Sequence, residues 1–388
     1  MTAVLVHALC IQLLSGALRP TLAYGLIEAN GAVGFLGALS AAWAVPALFL
    51  ALPAGRFSDR FGERTSALLG SGVVITSAVV ALVGRGSVPT LLLASLILGA
   101  GHMFSVVSEQ ALVANRAREG KLDTSFGLYS LAASVGQALG PLLLALPGPT
   151  PATPPIETII KICVGIGVAL AIASVFMGRT ARQLDHVQAG MFRSTGTLLR
   201  LPGVLRSIIT GSIAVSSVEV IQTYWPALGH ERSFSAAIVS TMLVVRAIMS
   251  VASRGALGQL ARRFGRRHLM IGSLSLSAIA LAGIAIPAPP AVLILCAGVF
   301  GFSIGICQPL TMSWLTEITP PGNRGMTMSL RLAGNRISQA AIPVTLGTLV
   351  AATGVGGVLV ASGLALAVSA LIVRGGRTAR APATSEPQ

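Results

Sequence analysis

Among the ionisable side chains inside otherwise apolar stretches of this sequence, seven are candidates for function: Arg19, His102, Glu109, Glu219, Arg246, Arg331 and Arg336. A charge at the centre of a hydrocarbon layer costs about 2.5–3.5 kcal/mol unless it is paired or hydrated. Such residues therefore mark either a structural ion pair or a path for a polar solute. The densest set is Ser329-Leu330-Arg331-Leu332-Ala333-Gly334-Asn335-Arg336-Ile337-Ser338-Gln339. On a helix Arg331, Asn335 and Gln339 recur every fourth residue and form one polar stripe, with Arg336 about 100° round from Asn335. A guanidinium is a planar donor that holds oxyanions, and the amides add neutral hydrogen bonds. Glu219 is the one acid placed deep. It reads either as the structural partner of Arg246 or Arg336, or as a group that loads a proton while an arginine holds an anionic solute. His102 can titrate near neutral pH or sit as a hydrogen-bonded buried imidazole. Gln137, and Gln308 before Pro309, are neutral hydrogen-bonders suited to a cavity wall or to a kink in the core. Arg19 stands before Pro20, where a kink can turn it toward a cavity.

None of this is catalytic machinery. The acids are not paired at one level and the five histidines are scattered. Cys10, Cys163, Cys296 and Cys307 lie in apolar runs with no CxxC or Cys/His spacing, so they read as small buried residues, and neither metal nor cofactor is expected. No GxxxxGK[ST] loop is present, which excludes a nucleotide-driven pump in this chain. The expectation is a protein that is not an enzyme and draws its energy from a solute or ion gradient.

The elements that carry these residues are membrane helices. Charged residues are 10% of the 388 residues, hydrophobic ones 53%, and mean hydropathy is +0.81. Soluble domains carry roughly 25% charged residues, so this chain cannot clothe a soluble fold of its length. Twelve runs of about 20 apolar residues suit a hydrocarbon core about 30 Å thick. They cover roughly 3–26, 33–54, 66–84, 89–113, 125–147, 156–178, 204–228, 234–254, 268–287, 289–314, 327–351 and 354–373. The fold class is all-α membrane protein. The first run lacks a basic flank and is read as a retained span.

With the N-terminus cytoplasmic, the inner loops hold nearly all the arginines, among them Arg56, Arg60, Arg64, Arg262, Arg263, Arg266, Arg267 and Arg324, while the outer loops hold Arg85, Lys161 and Arg232. That asymmetry places both termini in the cytoplasm and explains the net charge of +15 by contact with anionic lipid, not nucleic acid, for which 5% aromatic residues offer little stacking. The expected organisation is a six-helix bundle over 1–178, a cytoplasmic linker over 179–203, a second bundle over 204–374 and a disordered tail over 375–388.

The chain also repeats itself. Gly55-Arg-Phe-Ser-Asp59-Arg60-Phe61-Gly62-Glu-Arg64 returns as Gly258-Gln-Leu-Ala-Arg262-Arg263-Phe264-Gly265-Arg-Arg, 203 residues later. Gly127-Leu128…Gln137…Pro141 aligns with Ser329-Leu330…Gln339…Pro343 at an offset of 202, which also superposes Gly99 on Gly301. Two matches at nearly one offset imply two like-facing six-helix halves about an axis along the membrane normal, the plan of transporters that rock about a central site.

With this duplication, twelve spans and the 55–64 segment, the chain resembles the major facilitator superfamily over nearly its whole length. The segment matches the family's G-x-x-x-D-R-x-G-R-R pattern, with Glu63 where a basic residue is usual. The resemblance implies a two-bundle fold and a monomer that moves a small molecule by alternating access in the inner membrane. It implies a cytoplasmic latch in which Asp59 holds the halves together, Arg60 forms a salt bridge and Gly55 lets a helix approach. Glu109, near the inner end of span four, is a candidate partner for Arg60. Gly136-x-x-x-Gly140-Pro141 resembles the core of a motif of proton-coupled exporters, although Leu142-Leu143-Leu144 follow where glycines are usual. Ser95 stands where drug exporters often carry an arginine. Two expectations result: export of a small organic solute coupled to inward protons, and, second, uptake or exchange of an anionic metabolite, favoured by the excess of deep arginines.

The arginine distribution makes a direct prediction. In a cysteine-free background, Ser233→Cys should react with an impermeant thiol reagent from outside the cell, and Arg64→Cys only after the membrane is opened. The reverse labelling would invert the topology.

Overall fold

The computed structural model describes residues 1–29, 35–84, 86–116, 122–178, 199–319 and 324–375. It is built of helices: α1 (Thr2–Glu28), α2 (Phe35–Phe61), α3 (Glu63–Val83), α4 (Val88–Arg116), α5 (Leu122–Leu139), α6 (Ile156–Phe176), α7 (Val204–Glu231), α8 (Ala236–Phe264), α9 (Arg266–Ala285) and α10 (Pro290–Ile318). The helical run Arg324–Gly375 is broken at Gly354, where φ is 65° and ψ −177°; we call its parts α11 (324–353) and α12 (355–375). A carboxylate oxygen of Glu231 accepts the Val355 N–H at 3.3 Å, capping α12 just past the break. Ten of these helices are long and apolar enough to cross a membrane. The other two are α2, whose apolar part is the shorter Phe35–Ala51, and α11, which carries Arg331 and Arg336. The linker over 179–198 and the tail over 376–388 lie outside the described residues.

Two boundaries differ from the sequence expectation. The 55–64 segment is not a loop as a whole: α2 runs on to Phe61, because no residue before Gly62 breaks the helix. Span five does not continue as one helix to 147. α5 ends at Leu139 and a 3-10 turn takes over at Gly140–Ala145, since Pro141 cannot donate to the α-helical ladder.

The repeat is visible atom by atom. Gly62 and Gly265 both lie in the left-handed region, with φ of 89° and 74°, and each starts the next helix. Their amides donate to Ser58 and Ala261 at 2.8 and 3.0 Å, again 203 residues apart. Arg60 lies over the Phe61 ring at 5.2 Å and Arg263 over the Phe264 ring at 5.5 Å. Gly99 of α4 crosses the backbone of α2 at Trp43, and Gly301 of α10 crosses α8 at Arg246; a Cβ on either glycine would collide with the carbonyl it faces. Small residues at such crossings let helix axes approach where apolar burial gives no preference over lipid.

Within each half the same partners meet: α2 with α4 and α8 with α10, α3 with α4 and α9 with α10. Likewise α1 packs on α5, and α7 on α11 through Gly334 against Ile208 and Ser212. Between halves α1 meets α7, while α2–α11 and α5–α8 exchange under the same pseudo-twofold axis.

These crossings carry a prediction. Gly301→Ala must push α10 off Arg246 and should cost about 1–3 kcal/mol. Gly72→Ala, whose Cβ would meet nothing within 4 Å, should be neutral or stabilising by up to about 1 kcal/mol. Thermal unfolding in one detergent reads both, and equal behaviour of the two variants would sink the packing argument.

Candidate functional site

A polar cluster sits where α1, α2, α7 and α11 face one another between the halves. Glu219 of α7 ion-pairs with Arg19 of α1. Arg19 Nη1 also donates to Gln222 Oε1 at 2.6 Å, and its guanidinium lies 4.5 Å above the Trp43 ring of α2. The other Glu219 oxygen accepts from Gln339 Nε2 at 3.2 Å, and Gln339 Oε1 accepts from Arg336 Nη1 at 3.1 Å. Trp43 packs edge-on against His102 of α4 with centroids 4.8 Å apart, and His102 Nε2 lies 3.4 Å from Gln12 Nε2 of α1. Arg246, buried beneath α10, is near enough to Glu219 to feel its charge, and its Nε has no hydrogen-bond partner. One carboxylate thus serves three arginines. The pair is not sealed: 9% of the Arg19 side chain and 12% of the Glu219 side chain remain exposed, so the cluster borders accessible space.

Local structure sets this up. Glu219 and Gln222 are three apart on α7 and share a face. Pro20 lies inside α1 directly after Arg19. On α11 the expected stripe is present: Arg331, Asn335 and Gln339 are all buried. Arg331 Nη1 donates to Gln308 Oε1 of α10 at 3.1 Å, and Asn335 Oδ1 accepts from Ser212 Oγ at 3.2 Å. Arg331 and Asn335 therefore tie α11 within the second half, and only the Gln339 end of the stripe, with Arg336, reaches the seam.

Several sequence expectations are corrected. Glu219 pairs with Arg19 across the seam, not with Arg246 or Arg336, because α1 and α7 pack directly against each other between the halves. Glu109 does not meet Arg60. It is fully buried in the first half, bound to His7 Nδ1 and to the Tyr129 hydroxyl at 3.0 Å, while Arg60 stays exposed over Phe61. Among the described residues no helix closes on Gly55: a Cβ there would meet nothing within 4 Å, and one on Gly258 would touch Arg262 alone, at 3.9 Å. The side chain of Asp59 lies outside the described residues. Gly136 and Gly140 pack on the α1 backbone at Leu9, Leu13 and Gly16. Gln137, half-buried beside them, joins none of the cluster's hydrogen bonds among the described residues, and Arg64 is half-buried at the start of α3. Gln222, Trp43 and Gln12 were not singled out from sequence. The i, i+3 spacing from Glu219 was a usable signal for Gln222; nothing comparable marked the other two.

Most of the short cross-half contacts outside the cluster gather at one end of the bundles; Arg254 Nη1, which donates to Ser134 Oγ at 3.3 Å, is nearer the other. Ser40 meets Thr223 at 2.6 Å, Ser240 donates to the Pro141 carbonyl at 2.6 Å, Ala236 N–H donates to Pro151 at 2.8 Å, and Gly37 abuts Pro343. All are toward the face opposite the Gly62 and Gly265 turns. A cavity of about 670 Å³ lies elsewhere, between Arg206, Arg267, Trp314 and Val373 in the second half.

Comparison with known proteins agrees with this architecture. The sequence model of the Major Facilitator Superfamily matches residues 3–217 and 207–388. The chain belongs to the major facilitator superfamily. Its fold is a transporter fold and not that of an enzyme. No curated protein matches the sequence. Among solved structures it is similar to the nucleoside transporter NupG (TM-score 0.80, 12% identity, 96% of this chain and 98% of that one). It is also similar to a D-xylose–proton symporter (0.77, 17%, 97% of each) and to the human organic anion transporter MFSD10 (0.67, 20%, 96% and 98%). At these identities the likeness is one of fold.

The seam ion pair is testable by a double-mutant cycle. Truncating Arg19 to Leu leaves Glu219 without its main counter-charge. A fully buried pair broken this way loses about 3–5 kcal/mol; residual exposure discounts this to about 1–3 kcal/mol. The Arg19→Leu/Glu219→Leu double variant should recover most of the loss in thermal unfolding. Additive losses would mean that the two side chains do not interact.

Proposed function

We propose that this member of the superfamily is a secondary transporter of a small organic anion, bound at the seam by Arg19 and Arg336 with Arg246 behind them. The observation that carries the reading is the charge balance: three arginines converge on the single carboxylate of Glu219. Glu219 acts as an internal counter-ion that an incoming carboxylate, sulfonate or phosphate replaces. Arg19 gives a planar, two-pronged donor, Trp43 a flat apolar wall, and Gln222 and Gln339 neutral hydrogen bonds.

The same balance bears on coupling. Protonating Glu219 removes the competing negative charge, so a proton and an anion bind cooperatively and each raises the affinity for the other. Cooperative binding moves the two in one direction. Proton-driven export needs the opposite, a solute that competes with the proton. The arrangement therefore favours uptake with a proton, or exchange of anions, over the export expected first from sequence. That expectation rested on the span-five glycines, whose contacts here are those of close packing on α1. We place the protein in the cytoplasmic membrane as a monomer, with the arginine-rich loops and both termini inside, and assign the rocking bodies to 1–178 and 204–374. We read the sparser cross-half contacts near the Gly62 and Gly265 turns, among the described residues, as an inward-facing state.

A thermal-shift panel of monovalent organic anions against lipophilic cations tests the class. Anions should stabilise the wild type, Arg336→Ala should weaken that binding by 10-fold or more, and Glu219→Gln should bind anions at least as tightly and with less dependence on acid pH. Stabilisation by cations alone, or anion binding untouched in Arg336→Ala, would overturn the assignment.

A further inference from the structure

A second buried ionisable cluster lies in the first half and takes no part in the seam. His7 of α1 and Glu109 of α4 are both 0% exposed and share a short hydrogen bond through Nδ1 and Oε1. The Tyr129 hydroxyl of α5 donates to the other carboxylate oxygen at 3.0 Å. On the far side of the imidazole, Nε2 lies 3.5 Å from Ser71 Oγ of α3, which contacts Ser174 Oγ of α6 at 2.9 Å and donates to the Ala67 carbonyl at 2.8 Å. Five helices thus supply polar groups to one interior point. The ionisable groups around it are few. On α1 the next is Cys10, and on α5 it is Tyr129 itself. On α3 they are Arg64, half-buried two turns from Ser71, and next to it Glu63, held by Asn115 Nδ2 at 2.8 Å. On α4 they are His102, two turns inward beside Gln12, and Arg116, two turns toward the loop and packed against Gly178. α6 presents Ser174. Among the described residues no lysine or arginine contacts either member of the pair.

Proton bookkeeping then constrains the pair. The short contact needs one proton between Nδ1 and Oε1. With that proton alone, a neutral imidazole donates to a carboxylate and the pair carries a net charge of −1 with no cation beside it. With a second proton on Nε2, facing the Ser71 oxygen, the pair is neutral overall, either as imidazolium–carboxylate or as imidazole–carboxylic acid. An uncompensated charge in a dry, low-dielectric interior is far costlier than a neutral pair. The neutral arrangement thus holds one proton more than the charged one, at the Nε2 that faces Ser71.

We propose that the His7–Glu109 pair is a proton-binding site, loaded from the arginine-rich face and separate from the anion site. Glu109 is seven residues from the Arg116 end of α4, about 10 Å along the helix, so the site is shallow on that side. A polar seam between α1 and α4 leads inward from it, through Gln12 and His102, to Trp43 and Arg19. α1 bears His7 at one end and Arg19 about 18 Å further on, so one rigid element touches both sites. The inference rests on the transport reading only in making the proton a coupling ion.

The test uses full-length protein in lipid nanodiscs with ring-15N histidine. There are five histidines, and His7→Gln assigns the His7 signals. Between about pH 5 and 9 the His7 nitrogens should report one proton step, either as loss of an imidazolium or as a switch of neutral tautomer. Glu219→Gln should leave the step in place. Tyr129→Phe, which keeps both members of the pair, should retain it. Glu109→Gln should remove it or displace it by more than about one pH unit. A wild-type His7 locked in one protonation state throughout, or a step unchanged in Glu109→Gln, would overturn the proposal and leave the pair a structural clamp. A proton step at His7 without anion binding at the seam would sink the anion reading alone.

Discussion

A charge inside a membrane must find its counter-charge within a few ångströms, because neither bulk water nor salt can screen it there. Much of this protein's polar architecture follows from that. Glu219 gathers Arg19 and Gln339 across the boundary between the halves, and Arg336 joins through Gln339. The stability of that boundary and the solute site proposed for it therefore rest on the same atoms. A site whose charges are satisfied by each other when empty, and by a ligand when full, can be desolvated in both conditions without stranding a charge. That is a physical requirement for carrying a polar solute through lipid between two closed states.

The backbone meets a complementary constraint. Helices in lipid gain little from burying leucine against leucine, so their register is set where backbones touch. Gly99 on Trp43 and Gly301 on Arg246 show the same crossing in both halves. Yet the residue at the crossing differs: an aromatic that stacks under Arg19 in one half, an arginine in the other. Duplication preserved the packing and freed the side chains to diverge, and the asymmetry of the site, aromatic on one side and cationic on the other, is a direct product.

The two polar clusters differ in kind. The seam cluster spans both halves and keeps some exposure, so rearrangement of the halves must alter it. The His7–Glu109 cluster is enclosed by helices of one half and is sealed. α1 belongs to both, which makes it the element through which occupancy at one place can bias geometry at the other.

The duplication, the number of helices, the turn glycines Gly62 and Gly265 and the polar stripe on α11 were legible in sequence, because each is a matter of spacing along one helix or of an offset along the chain. The glycine face of α5 was legible for the same reason. The partner of Glu219, the burial of Glu109 with His7 and the empty space around Gly55 were not. Each depends on which helices are neighbours and on which face of the membrane the halves separate. Hydropathy and periodicity describe one helix at a time and carry no information about azimuth relative to another. Composition and spacing determined that this chain is a duplicated membrane protein with more deep arginines than acids; only the tertiary structure decided which acid answers which arginine, since that choice is made across the seam by helices some 200 residues apart in the chain.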